Sequence, residues 1–366
     1  MNIPFVDMAA KISAERGELH AALDRVLDGR VLILGSEVTA LEKELGVACG
    51  VAAERVVSCN SGTDALVLSL KAMGVGSGDE VIVPSHTAVP TVTAIRLVGA
   101  IPKFADIDPD TWVVNASDAL SLVGKNTKAV IAVHLYGNGV NLSALSGVRA
   151  LLIEDVAQAQ GGRFGDTAFG AWGRFGAYSF YPTKNLGALG DGGALVCREE
   201  ADSIRARSLR FYGQSSRYKA ELDHGMNSRL DELQAAFLRV RLPAMQRELA
   251  AKEGVRRWYE AALAGLPLRL QAVTPGCSPA WHLFVVAFES EAVREKVRSA
   301  LEAAGIGSLI HYPVPNHLQP AFREFRGRPL PVTESLCGRI LSLPFHAWLS
   351  EAEVQRVADV IRKTLA

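Results

Sequence analysis

The sequence predicts an α/β protein: a large domain on a mostly parallel central sheet, then a smaller C-terminal α+β domain. Three observations lead there. The runs Glu80–Pro84, 101–107, 129–134 and 150–154 keep their apolar residues together instead of alternating, as strands covered on both faces do. Segments of helix length separate them, as parallel connections require. Past about residue 245 the texture changes, and helices with one apolar stripe follow. The domains are therefore expected at 1–244 and 245–366.

Element by element, the helix signals support this layout. Ser36 stands where it can cap a helix whose Val38, Leu41 and Leu45 share a face. Leu66, Leu70 and Met73 mark a second helix, behind Ser61-Gly62-Thr63-Asp64. Ser228 precedes Leu230, Leu233, Phe237 and Val240, and Pro243 is expected to end that helix. Val293, Val297 and Leu301 recur at four-residue spacing before Gly305, which can end a helix. Ser350 and Glu353 have capping-box spacing ahead of Val354, Val357 and Ile361.

Composition narrows the function. Among 366 residues, Lys plus Arg is 39 and Asp plus Glu is 39, so charge argues for neither nucleic acid nor membrane partners. The first ten residues lack a basic stretch followed by an apolar core, and the apolar runs are too short to cross a bilayer. Five scattered cysteines, with no C-x-x-C, read as thiols in a reducing cytoplasm. A nicotinamide enzyme needs G-x-G-x-x-G between strand and helix, and the glycines after Lys184 do not match. There is no G-x-S-x-G and no H-x-x-x-H among the eight histidines, so neither a serine hydrolase nor a metal site is expected.

Three stretches carry chemistry. In Tyr178-Ser179-Phe180-Tyr181-Pro182-Thr183-Lys184-Asn185 an apolar run enters a turn, with a lysine just beyond. A lysine at a strand exit is either a solvated surface group or a partly buried amine freed for Schiff-base chemistry. In Leu151-Leu152-Ile153-Glu154-Asp155-Val156-Ala157-Gln158 the acids end a strand. Asp155 there is either a helix cap or a partner for a protonated ring nitrogen. Cys59-Asn60-Ser61-Gly62-Thr63-Asp64 opens a helix whose first amides suit a phosphate, or are simply capped. Together and in this order, the three are what an enzyme using pyridoxal phosphate (PLP) requires.

At these residues the chain resembles the DegT/StrS sugar aminotransferase family over nearly its whole length. The likeness lies in 61–66, Gly78-Asp79-Glu80-Val81-Ile82-Val83-Pro84, Glu154-Asp155-Val156-Ala157-Gln158 and 179–193. Asn227-Ser228-Arg229-Leu230-Asp231-Glu232-Leu233-Gln234 and His311-Tyr312-Pro313-Val314-Pro315-Asn316-His317-Leu318-Gln319 resemble the subgroup that aminates C3 of dTDP-linked 3-keto-6-deoxy sugars. The resemblance implies the PLP-dependent transferase fold of type I. Lys184 would bind the cofactor covalently and move protons, and Asp155 would face the pyridine nitrogen. Gln158 would sit near the ring hydroxyl, and Gly62, Thr63, Asp64 and Ser179 would hold the phosphate. Asn227 would reach the phosphate of a neighbouring subunit, making a homodimer with shared sites. L-glutamate would donate the amino group, with pyridoxamine phosphate as the halfway form.

His86, Tyr181, Arg229, His311, Tyr312 and His317 are expected near the nucleotide sugar, each with packing as the alternative. The chain departs from the family at Ala88, where relatives often place an aromatic residue over the cofactor ring; His86 or an open face would replace it. Amination at C4 of a UDP-, GDP- or dTDP-linked sugar is the alternative reaction. A sugar dehydratase or a non-catalytic regulator also uses this fold, and Lys184 speaks against both.

Overall fold

A computed structural model describes residues 2–366; Met1, part of the stretch read for a leader, lies outside the described residues. Seven strands make the central sheet: β1 (Val56–Cys59), β2 (Glu80–Pro84), β3 (Ile101–Ala105), β4 (Thr127–Val133), β5 (Leu152–Asp155), β8 (Phe175–Ser179) and β9 (Gly193–Cys197). Their order is β1-β9-β8-β5-β4-β2-β3. Pairing is parallel except along β9, which runs against both β8 and β1. The strands are buried along nearly their full length because helices cover the sheet. These are α3 (Gly62–Ala72), α4 (Val89–Leu97), α5 (Ala116–Ser121) and α6 (Glu200–Leu209), with α1 (Met8–Leu27) and α2 (Ser36–Cys49) preceding them.

A small sheet has β6 (Arg163–Phe164) at its centre, paired with β7 (Thr167–Ala168) on one side and β13 (Cys277–Ser278) on the other. A surface hairpin joins β10 (Gln214–Ser216) to β11 (Lys219–Ala220). The C-terminal part is an antiparallel sheet, β12 (Arg269–Leu270), β14 (Phe284–Ala287) and β15 (Ile340–Leu343), with α8 (Glu291–Ala303), α9 (Pro331–Cys337) and α10 (Glu351–Leu365). The α/β architecture with a mostly parallel sheet is as the sequence predicts.

Several local expectations hold. Ser61 caps α3 by accepting the Asp64 N–H, Ser350 and Glu353 form the capping box of α10, and Gly305 follows α8 with φ +71°. Two are corrected. Ser36 is not the cap of α2; Gly35 is, without a side-chain bond. The helix's free amides are instead met from far along the chain, by the Glu232 carboxylate. Nor does Pro243 end its helix. Helix α7 (Glu232–Ala262) runs 31 residues straight through it, about 46 Å at the usual rise. An interior proline costs about 3 kcal/mol. Burial on both sides offsets this: Phe237 and Leu238 before Pro243, and Met245, Val255 and Tyr259 after it, are all buried.

The expected boundary between 244 and 245 thus falls inside one helix. We propose that the two domains be divided by core, with α7 shared. Leu238 and Met245 belong to the large cluster around the sheet, while Val255, Tyr259 and Leu263 belong to the small one. Ile3 packs in that second core and is tied by backbone bonds to Gly305 and Gly307. The N-terminal stretch therefore crosses the small domain before α1 begins.

Candidate active site

The site forms where β5 and β8 end. Asp155 closes β5 and is buried. Burial raises its carboxyl pKa; the Ala157 amide, the Thr91 hydroxyl and the charges of Lys184 and His134 oppose that rise. Thr91 donates to Oδ2 at 2.9 Å and Ala157 to Oδ1 at 3.1 Å. Lys184 lies on the turn after β8, and Asp155 acts on it electrostatically. Burial pushes its ammonium pKa down, against that attraction. The amine is thus eased towards its neutral, nucleophilic form.

The turn that carries Lys184 is held rigidly. Asn185 is buried and donates to the Ala280 carbonyl at 2.9 Å, while its Oδ1 accepts from Lys252 at 2.9 Å. A Cβ on Gly187 would sit 2.3 Å from the Pro182 carbonyl oxygen, so only glycine lets the turn close this tightly.

An amide-lined seat adjoins these groups. Cys59 and Ser179, which end β1 and β8, both pair with Gly193 of β9. A Cβ on Gly62 would meet Ser179 Cβ at 2.5 Å, and one on Gly193 would meet the Ser61 carbonyl carbon at 2.4 Å. These two glycines let the start of α3 press against the strand ends. Within α3, the Asp64 N–H goes to Ser61 Oγ and the Ala65 N–H to the Ser61 carbonyl. The amides of Gly62 and Thr63 find no partner among the described residues. Two free N–H groups at a helix N-terminus, next to the half-buried Ser179, are the donor set a phosphate needs.

Gln158 is aimed from both ends. Its Oε1 accepts the Tyr136 N–H at 2.8 Å, and its Nε2 donates to the Tyr312 hydroxyl at 3.0 Å. Tyr136 has left-handed backbone, φ +63°, a conformation costing about 1–2 kcal/mol for a side chain of this kind. Its hydroxyl bonds His86 and donates to the His311 carbonyl, so three polar contacts hold it there. His311 and Lys184 line one cavity of about 160 Å³. Its Nδ1 meets Ser342 Oγ at 2.9 Å, and burial pushes its pKa down to about 4.

The family model for DegT/DnrJ/EryC1/StrS aminotransferases matches residues 13–362. The chain belongs to that family. A UDP-N-acetyl-3-dehydro-alpha-D-glucosamine 3-aminotransferase of Acidithiobacillus ferrooxidans is 39% identical, covering 99% of this chain and 98% of that one. A dTDP-3-amino-3,4,6-trideoxy-alpha-D-glucose transaminase of Streptomyces venezuelae is also 39% identical, over 99% and 96%. The crystal structure of DesV from Streptomyces venezuelae superposes with a TM-score of 0.93 at 39% identity, covering 99% of this chain and 98% of that one. The protein is a PLP-dependent sugar aminotransferase, and pyridoxal 5′-phosphate is its cofactor. The residues present fit that group: paired free amides for its phosphate, a buried acid and a desolvated lysine.

The fold gathers Lys184, Asp155, Gln158, Tyr312 and His311 around one centre, with Gly62, Thr63 and Ser179 beside it. It treats other expected residues of this aminotransferase differently. Asp64 has both its amide and its carboxylate engaged, the latter by Ser228 Oγ at 2.7 Å. His86 takes the packing alternative: it is buried, with Nε2 2.7 Å from the Tyr136 hydroxyl and Nδ1 3.2 Å from Cys337 Sγ. His317 takes the packing alternative likewise. It is buried between Ser85 Oγ at 2.7 Å and Glu334 at 3.0 Å, and pins its loop to the end of β2. Tyr181 and Asn227 are exposed, and Arg229 lies over the Phe211 ring; none lines the Lys184 cavity.

Sequence reasoning missed Thr91, Tyr136, His282 and Lys252. Thr91 had a signal, since it follows Thr87 by four residues and the two hydroxyls meet at 3.1 Å. The others are single residues on distant elements, with no motif to mark them.

Proposed function

We propose that this aminotransferase moves the amino group of L-glutamate to C3 of a dTDP-linked 3-keto-6-deoxyhexose, giving a 3-amino-3,6-dideoxyhexose. The observation that carries the reading is a desolvated Lys184 facing a buried Asp155 beside two unpaired helix amides. Position C3 is supported by the names of both relatives cited above. A UDP-linked N-acetylated sugar is the second reading, because the Acidithiobacillus enzyme is equally similar.

Bound pyridoxal phosphate supplies an aldehyde that condenses with amines and a ring that takes up the electron pair released when a C–H bond breaks. The protein does the rest. Gly62 and Thr63 amides and the Ser179 hydroxyl would hold the phosphate, joined by Asn227 of a second copy of the chain. Asp155 would hold the proton on the ring nitrogen, its ionised form supported by Thr91 and Ala157. Gln158 would meet the ring hydroxyl. Lys184 would be the base and then the acid that moves the donor's α-proton, and would repeat this in reverse on the sugar. Burial suits it to that work by lowering the cost of its neutral form. His311, which lines the Lys184 cavity, and Tyr312, which bonds Gln158, would face the hexose.

A homodimer with sites shared between subunits, and a cytoplasmic setting, belong to the same proposal. No helix among the described residues is long and apolar enough to cross a membrane. The cysteines are unpaired and all but Cys277 are buried, in keeping with a reducing compartment.

The test incubates the holoenzyme and L-glutamate with a panel of dTDP-, UDP- and GDP-linked 3-keto and 4-keto sugars, reading product mass and amine position. The expected product carries nitrogen at C3 on dTDP. A C4 amine, or turnover of UDP sugars alone, would replace this reading. Lys184→Ala is expected to lose the absorbance of the lysine-bound cofactor together with all transfer; retained activity would end the assignment of Lys184.

A further inference from the structure

Helix α7 sends a second lysine into the Lys184 cavity. Lys252 Nζ is 2.9 Å from Asn185 Oδ1 and 3.4 Å from the Trp281 carbonyl, and sits 5.6 Å from the centre of the Phe345 ring. Each neighbour is neutral. The nearest acid on its own helix, Glu248, is taken by Lys11 at 2.8 Å. No carboxylate lies within salt-bridge distance of Lys252 among the described residues. Burial and, after it, the positive charge of Lys11 lower its pKa to about 7; only Glu248, already paired with Lys11, opposes the drop. Beside it His282, also in the cavity wall and 8% exposed, leaves its Nδ1 without a hydrogen-bond partner.

An uncompensated buried ammonium is costly unless an anion joins it in some functional state. The cavity opens on Lys184, where the amino donor must place its α-carbon, and a dicarboxylic donor brings two anions with it. We propose that Lys252, assisted by His282, is the carboxylate-binding group for the amino donor, and that it sets the preference for a dicarboxylic amino acid. The inference rests on the amino-transfer reading above, but not on which sugar accepts the nitrogen. In the same wall Lys11 and Glu248 neutralise each other, and burial lowers the pKa of His282, His311 and His346, leaving them uncharged near neutrality. Asp7, which caps α1, adds a negative charge at the rim. Apart from Lys184, which the cofactor would engage, Lys252 is therefore the cation in this wall left to meet an incoming carboxylate.

The experiment uses the holoenzyme and two probes. Glutarate, a dicarboxylate with no amine, reports binding by calorimetry. L-glutamate without acceptor reports the first half-reaction through the cofactor's absorbance. Lys252→Gln retains a donor for Asn185 but removes the charge. It is expected to weaken glutarate and raise the KM for glutamate by about tenfold or more, as loss of a charged hydrogen bond does. The half-reaction rate at saturation and the KM for the keto sugar should change little, and Lys252→Arg should restore most of the affinity. Wild-type glutarate affinity should fall as pH rises through about 7, where the ammonium loses its proton. That measurement needs no variant, so it stands even if Lys252→Gln fails to fold. Unchanged glutarate affinity in Lys252→Gln, a flat wild-type profile, or loss of both half-reactions with glutarate binding intact would overturn the proposal. Failure to find a sugar acceptor would count against the reading in the previous subsection and leave the glutarate result standing.

Discussion

His86 was expected at the substrate and is instead a neutral group sealed in the core, which gives it a measurable signature. Burial pushes its imidazole down to about 4, from an ordinary value of 6.5. Between those values the unfolded chain binds a proton that the folded one refuses. The stabilisation is therefore complete above pH 6.5 and is lost as pH falls through the folded value near 4. The whole difference is about 3 kcal/mol. Unfolding free energy measured by urea titration should drop as pH goes from 6.5 to 4.5, and less steeply in His86→Gln. Parallel pH profiles for the two proteins would show that His86 is not the group responsible. His86 was legible in the sequence as a candidate, but which way its ring faced was not. That depends on Tyr136 and Cys337, which lie 50 and 251 residues away.

Helix α2 shows the same lesson at the level of an element. Its apolar face, Val38, Leu41 and Leu45, was readable from spacing, and all three are buried. Its N-terminus was not, because the cap comes from the first residue of α7. The Glu232 carboxylate accepts from Gly35 at 2.8 Å, Glu37 at 2.8 Å and Val38 at 2.9 Å. One buried anion thus satisfies three orphan amides and meets the positive end of the helix. Glu232→Ala should cost about 2–4 kcal/mol, since those amides lose partners that water cannot easily replace. Glu232→Gln, which keeps one acceptor, should cost less. Equal stability of the alanine variant in denaturant titration would show that the three bonds contribute nothing net.

At the scale of the whole molecule, an apolar stretch running from the last residue of α1 towards α2 faces outward. Leu27 is 67%, Val31 52% and Leu32 62% exposed. Surfaces like this are usually covered by a partner. With the shared-site proposal, that makes a complementation test possible. Asn227→Ala should weaken PLP about tenfold or more by removing a donor to phosphate. Lys184→Ala is inactive for a different reason. Refolding the two variants together should restore activity, because one site of each mixed dimer then holds Lys184 from one subunit and Asn227 from the other. A mixture no more active than its components would mean that each subunit completes its own site.

By itself the sequence determined what is local. Continuous apolar runs specify buried parallel strands, and the Lys184, Asp155 and 61–64 motifs carry their chemistry in residue types and short spacings. Only the tertiary structure decided what depends on distant segments meeting. It chose which histidines were sealed away, let α7 continue through Pro243, and brought Glu232 to α2 and Lys252 to the Lys184 turn. The physical reason is that caps, desolvation and counter-charges arise between groups far apart in the chain, whose contact leaves no periodicity to read.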